Sequence, residues 1–279
     1  MLKNVKECFY PLTIEECLKL LNDFKEKGDI VGGGVDIVWR ERKELEYLIY
    51  LDKLNLNYIK EDNNYISIGA ANTLDGLEKI DILNGSFRNA IKSVATPILR
   101  NVITIGGTIV RGYSWSDILT IFITLEGKVK VFDGEENILS IDEFLQYKKT
   151  SKKKFVLTEI DLPKFDDSYH FSYIRFTRTG NDIPLINEGV LVKLNGKKVE
   201  KVNIILGGRP GFPVHLDEAE KFLLNKELDE NTINLSKEIA IKTSEVQNDM
   251  RLSMEYRKNL SGVLTKRSLI KIKNDLNKF

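Results

Sequence analysis

The chain has 279 residues, 42% hydrophobic and 30% charged, with 42 Lys and Arg balanced by 41 Asp and Glu. That length accommodates two modest domains with separate cores, and a net charge of +1 gives no bulk-charge basis for holding nucleic acid. No run approaches the roughly 20 apolar residues that span a bilayer. The opening MLKNVKECFYPLT lacks the apolar core of a signal peptide, so a cytoplasmic protein is expected.

Taken in chain order, the first signal is a helix. Thr13 and Glu16 form a capping-box pattern, Ile14, Cys17, Leu18, Leu21 and Phe24 share one face, and Gly28 is the expected stop. Cys8 and Cys17 are the only cysteines; they are too few for a metal or iron–sulfur framework and read as two reduced thiols packed near this helix. A short strand, Asp29 to Val31, runs into Gly32-Gly33-Gly34, and further strands are expected at Tyr47–Leu51 and Tyr65–Ala70. Residues 85–94 read as a helix ended by Pro97, followed by a strand-and-turn segment from Arg100 to Val110. Ser116 suits an N-cap for a helix carrying Ile118, Ile121, Phe122 and Leu125. Lys128–Phe132 alternates like an edge strand and turns at Asp133-Gly134; another strand ends at Pro163. Domains are therefore expected over 1–165 and 166–279. In the second, Asn195-Gly196 marks a hairpin, and the chain is helical by pattern from about Asp217.

Two glycine runs follow apolar stretches: Gly32 to Gly34 and Gly106-Gly107. Successive amides in such turns can converge on phosphate, and Thr104 could add a hydroxyl. Tight corners between strands would use the same residues. The spacing is neither a Rossmann fingerprint, since Ile37 stands where a third glycine belongs, nor a P-loop. His170 and His215 neighbour no nucleophile and fall in no metal spacing, so hydrolytic chemistry and a metal site find no support. What remains is chemistry borrowed from a nucleotide-containing cofactor.

VGGGVD (31–36), IGAANTL (68–74), LRNVITIGGTI (99–109), Ser116-Asp117 and EIDLP (159–163) occur in order, with FSYIRFTRTGNDIP (171–184) and NDMRLSMEYRKNLSGVL (248–264) beyond them. Together they resemble the FAD-binding subunit of the xanthine dehydrogenase and carbon monoxide dehydrogenase family, over nearly the whole chain. The resemblance implies an α+β protein: a p-cresol-methylhydroxylase-like FAD domain, then a small α+β domain with an antiparallel sheet. It implies non-covalent FAD, with molybdopterin and iron–sulfur clusters on partner subunits and NAD(H) as a further partner. Electrons would pass from partner clusters through FAD to NAD.

Carried over by position, Ile30, Val31, Gly32, Gly33, Gly34, Val35, Asp36 and Ile37 would wrap the pyrophosphate, with Ile103, Thr104, Ile105, Gly106 and Gly107 opposite. Asp117 would accept from an FAD hydroxyl or steady the second loop, Leu157 or Ile160 would lie by the adenine, and Arg175 would sit near the flavin. The same residues also suit structural duties: Asp117 as a partner of a helix dipole, Leu157 and Ile160 as core, Arg175 as a surface charge. The sequence departs from the family at Val35, commonly Ser or Thr, and at Thr108, commonly Asn. One neutral hydrogen bond lost is about 0.5–1.5 kcal/mol, too little to abolish a site built on backbone donors. A flavin-free scaffold subunit and a free-standing FAD oxidoreductase are the alternatives.

Overall fold

The computed structural model describes residues 2–40 and 42–276. In chain order the elements begin β1 (Glu7–Phe9), α1 (Ile14–Phe24), β2 (Gly28–Val31), α2 (Val35–Trp39), β3 (Tyr47–Tyr50), β4 (Ile59–Glu61) and β5 (Tyr65–Gly69). They continue through α3 (Leu74–Leu77), α4 (Ser86–Lys92), α5 (Pro97–Arg100), α6 (Ile105–Arg111), α7 (Asp117–Thr124), β6 (Lys128–Phe132), β7 (Glu136–Ser140), α8 (Ile141–Thr150) and β8 (Val156–Pro163). The remainder is β9 (Tyr169–Phe176), β10 (Ile186–Asn195), β11 (Lys198–Gly207), β12 (Val214–His215), α9 (Asp217–Leu223), α10 (Glu230–Thr243) and α11 (Met254–Leu276). Among the described residues no helix is long and apolar enough to cross a membrane.

Two compact units form. The first takes the chain through Leu77, Thr96–Arg111 and Glu126–Lys164; the second takes Glu78–Ala95, Gly112–Leu125 and the chain from Phe165 onward. The change at Lys164/Phe165 lies beside the linear boundary read from the sequence, but two earlier segments pack with the later part. Their helices explain it. Phe87 of α4 meets Phe122 of α7 edge-on, and α7, buried along its whole length, needs apolar partners on every side.

In the first unit, β1, β3 and β2 make a parallel sheet. Cys17, Leu18 and Leu21 of α1 pack with Ile49 and Leu51. A five-stranded antiparallel sheet follows the order β4-β5-β8-β6-β7. In the second unit β12-β11-β10-β9 is antiparallel, and α9, α10 and α11 contribute to its main core with Val190, Val192, Ile204 and Leu206.

Local sequence chemistry accounts for many element ends. Thr13 Oγ1 accepts from Glu16 N (3.2 Å), while the Glu16 carboxylate reaches one residue past the cap, to Leu12 N (2.7 Å). Ser116 Oγ caps α7 through Leu119 N (3.2 Å), and Gly196 turns the β10–β11 hairpin at φ 60°. Four expectations change. Gly28 does not stop α1, which tightens into a 3-10 turn at Lys25–Lys27; Gly28 opens β2. Pro97 does not end α4 but begins α5, where its missing N–H costs nothing and Thr96 supplies the cap. β6 lies between β8 and β7 instead of at an edge. Cys8 is exposed on β1, and only Cys17 is buried, its thiol pushed up to about 12 by desolvation.

Candidate cofactor site in the first unit

β2 is hydrogen-bonded to β3 as far as Val31 opposite Tyr50, and the chain then leaves the sheet as Gly32-Gly33-Gly34. Gly34 holds the left-handed conformation (φ 74°, ψ −10°) that turns the chain into α2, a geometry that disfavours other residues. At Gly33 any Cβ would lie inside the carbonyl of Val102, so the loop backbone rests directly on the segment that leads into α6. Among the described residues, no protein acceptor takes the amides of Gly32, Gly33 or Gly34. A run of open N–H groups ahead of a helix start is a concavity suited to an anion.

The second glycine run is built differently. The segment expected as strand and turn is helix α6, with Gly106 and Gly107 in its first turn. Three nearby acceptors initiate it. Ile105 N donates to Asn72 O (2.9 Å), Gly106 N to Ala70 O (2.9 Å) and Gly107 N to Thr104 Oγ1 (3.3 Å). These amides are therefore engaged within the protein. Lack of a side chain at Gly106 serves packing, because a Cβ there would lie 2.7 Å from Ala70 O.

A cavity of about 220 Å³ in this unit is lined by Ile30, Gly32, Gly106, Gly107 and Leu157, five of the residues singled out in the sequence. Val31, Ile37, Ile105 and Ile160 bury their side chains in the core, Thr104 is buried, Ile103 is half-buried with its carbonyl taken by Leu74 N (3.0 Å), and Val35 is exposed. Leu21, Leu51 and Phe155 add an apolar wall. Charge lines the rest: Arg42, Arg111, Lys153 and Lys154 against Glu26 and Asp29, four cations to two carboxylates. Sequence reading missed this charged lining. Its signals were the acids on either side of the glycine run, Asp29 and Asp36, and the lysine run before β8.

Asp117 and Arg175 belong to the second unit and pair with each other. Arg175 Nε lies 3.2 Å from Asp117 Oδ1, which also accepts from the Tyr173 hydroxyl and from Asn187 Nδ2 (3.4 Å). Burial pushes the Asp117 carboxyl up, while the Arg175 guanidinium opposes the shift. Arg175 also binds the carbonyls of Ser93 (2.5 Å) and Asp182 (2.6 Å), so both charges hold the interior of their unit. In contrast to the sequence reading, His215 does fall near acids: its ligand atoms and those of Asp217 and Glu220 lie within 4.8 Å of one another. Hydrogen bonding accounts for much of the grouping, since Glu220 Oε1 meets His215 Nδ1 (2.8 Å) and accepts from Ile204 N (2.6 Å).

Residues 3–165, more than half the chain, match the family described as the FAD binding domain in molybdopterin dehydrogenase. The chain belongs to that family. Residues 171–272 match the carbon monoxide dehydrogenase flavoprotein C-terminal domain. Among curated relatives, the glyceraldehyde dehydrogenase medium chain of Sulfolobus acidocaldarius is 27% identical over 91% of this chain and 93% of its own. The nicotinate dehydrogenase FAD-subunit of Eubacterium barkeri is also 27% identical, covering 93% and 94%. A chain of carbon monoxide dehydrogenase from Hydrogenophaga pseudoflava, in a form lacking the Mo-pyranopterin moiety, superposes with a TM-score of 0.90. That superposition covers 98% of this chain and 99% of the other, at 23% identity, and establishes the shared fold. The resemblance drawn from VGGGVD onward is thereby borne out, as is an α+β protein with an antiparallel C-terminal sheet.

Within this family FAD is the cofactor, and the residues here fit it. The glycine cradle would be filled by a Cβ at Gly33, its amides are open, and four cationic side chains line the cavity. Ligand pockets usually run to about 300–1,000 Å³, so this cavity can hold only part of the dinucleotide. At the two family departures, Val35 is the first residue of α2 and Thr108 spends its hydroxyl on Thr104 O (3.0 Å).

Proposed function

We propose that this chain is the FAD-binding electron-transfer subunit of a molybdenum-hydroxylase-type dehydrogenase, working beside iron–sulfur and molybdenum-binding subunits and using NAD as the final acceptor. The observation that carries the reading is the glycine loop: open amides at Gly32–Gly34 beside a cavity lined by both cationic and apolar side chains. Gly32, Gly33, Gly34 and the first turn of α2 would hold the pyrophosphate. Leu157, Leu21 and Phe155 offer an apolar wall for the adenine. Ile160, fully buried in β8, belongs to the core, and Asp117 with Arg175 keeps the second unit ordered. When bound, FAD supplies the exchange between one-electron and two-electron carriers. The chain's own work is to bind, orient and exclude water.

The test is the absorption spectrum and flavin content of the protein purified from its native cell, with the chains that accompany it identified by mass. One FAD per chain, together with a molybdenum-containing partner, is the expected result. Acid precipitation should leave the flavin in the supernatant. Colour retained on the precipitate would overturn non-covalent binding, and a colourless protein that takes up no added FAD would favour a flavin-free scaffold.

A further inference from the structure

The glycine loop has an electrostatic problem that its own sequence creates. Asp29 lies three residues before Gly32 and Asp36 two residues after Gly34, so carboxylates stand on both sides of a loop whose open amides suit an anion. At contact distances, two such charges repel an incoming phosphate by an amount comparable to what the amides offer. The structure brings one residue to both. Arg111, the last residue of α6, places Nε 2.6 Å from Asp36 Oδ2 and Nη2 3.3 Å from Asp29 Oδ2. It reaches Asp29 across 82 positions of sequence. Arg42 joins them, with Nη1 2.7 Å from the same Asp29 oxygen. The other oxygen of Asp29 accepts from Ile30 N (2.9 Å), which fixes the carboxylate's orientation.

Arg111 is itself anchored. Lys148, reaching from α8, donates to the carbonyls of Val110 and of Arg111 (3.0 Å for the latter), which ties the end of α6 to α8. The Arg111 side chain also lines the cavity.

We propose that Arg111 is the charge-compensating residue of this site: by neutralising Asp29 and Asp36 it lets the glycine loop accept the doubly charged pyrophosphate of a dinucleotide. It is a positioning residue, acting through the two carboxylates, and the proposal rests on the loop being the FAD site. A planar guanidinium suits the task because its separate N–H groups can face two carboxylates at once, which a lysine ammonium on a different stem cannot reproduce.

The experiment measures dissociation constants for FAD, ADP and adenosine on the full chain stripped of flavin, by fluorescence quenching for FAD and calorimetry for the others. Arg111→Met should weaken FAD and ADP by about tenfold or more, and adenosine, which has no phosphate, by less than about threefold, tenfold corresponding to 1.4 kcal/mol. Adding Asp36→Asn to Arg111→Met should recover most of the loss, because it removes a repulsive charge; a merely structural Arg111–Asp36 tie would instead weaken adenosine as much as ADP in the single variant. If Arg111→Met does not fold, Arg111→Gln and Arg111→Gln with Asp36→Asn give the same comparison. FAD and ADP binding within twofold of the unaltered chain, or a double variant as weak as the single one, would overturn the proposal. Failure of the unaltered chain to bind FAD would instead bring down the reading of the loop, a distinguishable result.

Discussion

At the scale of single residues, the two glycine runs look interchangeable in the sequence and are not. Gly33 backs onto the Val102 carbonyl, a backbone wall that cannot rotate away, and its loop has amides to spare. Gly107 is exposed, and a Cβ there would meet only the Thr104 hydroxyl, 2.8 Å away, a side-chain group that accepts from Gly107 N and not a backbone wall. Gly33→Ala must therefore shift the loop, with backbone strain of about 1–3 kcal/mol, whereas Gly107→Ala need not. The expected outcome is a loss of FAD affinity of about tenfold or more for Gly33→Ala and under about threefold for Gly107→Ala, measured by flavin titration of stripped protein. Equal losses would mean that both runs donate to the cofactor, against the hydrogen bonding described above.

At the scale of elements, what was legible in the sequence was local. A cap at Thr13 or Ser116 and a turn at Asn195-Gly196 need no distant partner, and their elements formed where expected. Helix α6 was not legible because Asn72 and Ala70 supply the carbonyls that start it, about 35 positions earlier in the chain. The same holds for the cavity lining, where Arg111 finds Asp29 only after folding. Helix α11 conceals a third case. Its Thr265 hydroxyl binds Glu188 Oε2 (2.7 Å) on β10, and Glu188 is fully buried. Burial pushes that carboxyl from 4.5 up to about 8, with the Thr265 hydrogen bond opposing the shift. Below about pH 4.5 both folded and unfolded chains keep the proton. Between 4.5 and about 8 only the unfolded chain releases it, so stability falls as pH rises through that window and levels off above it. Glu188→Gln removes the charge and should flatten the slope: similar urea midpoints near pH 5, and a more stable variant near pH 8, by at most about 5 kcal/mol. A variant that loses stability equally at both pH values would show that the carboxyl is held for its shape, not for its proton.

At the scale of the whole molecule, the question is which steps one chain can support alone. Its two cysteines are free, one of them buried with a thiol pushed up to about 12, and they do not make a cluster framework. Its histidines lie outside the glycine loop's unit: His170 is on β9 and His215 on β12, both in the second unit. A reaction that hydroxylates an aromatic heterocycle needs an activated oxygen and a positioned base, and the residues described here gather no such set around the cavity. Electron exchange between flavin and nicotinamide asks for less, namely a bound flavin with an accessible edge. The isolated, FAD-loaded chain is therefore expected to oxidise NADH with an artificial dye as acceptor, and to leave xanthine or another heterocycle untouched under the same conditions. Turnover of the heterocycle by this chain alone would sink the reading of it as a subunit. Dye reduction by some donor other than NADH, with NADH inert, would keep the flavin site and assign the complex a different electron partner. Running both donors on Arg111→Met, reloaded at saturating FAD, separates binding from transfer: a residue that acts only by compensating Asp29 and Asp36 should restore the full rate once the site is filled.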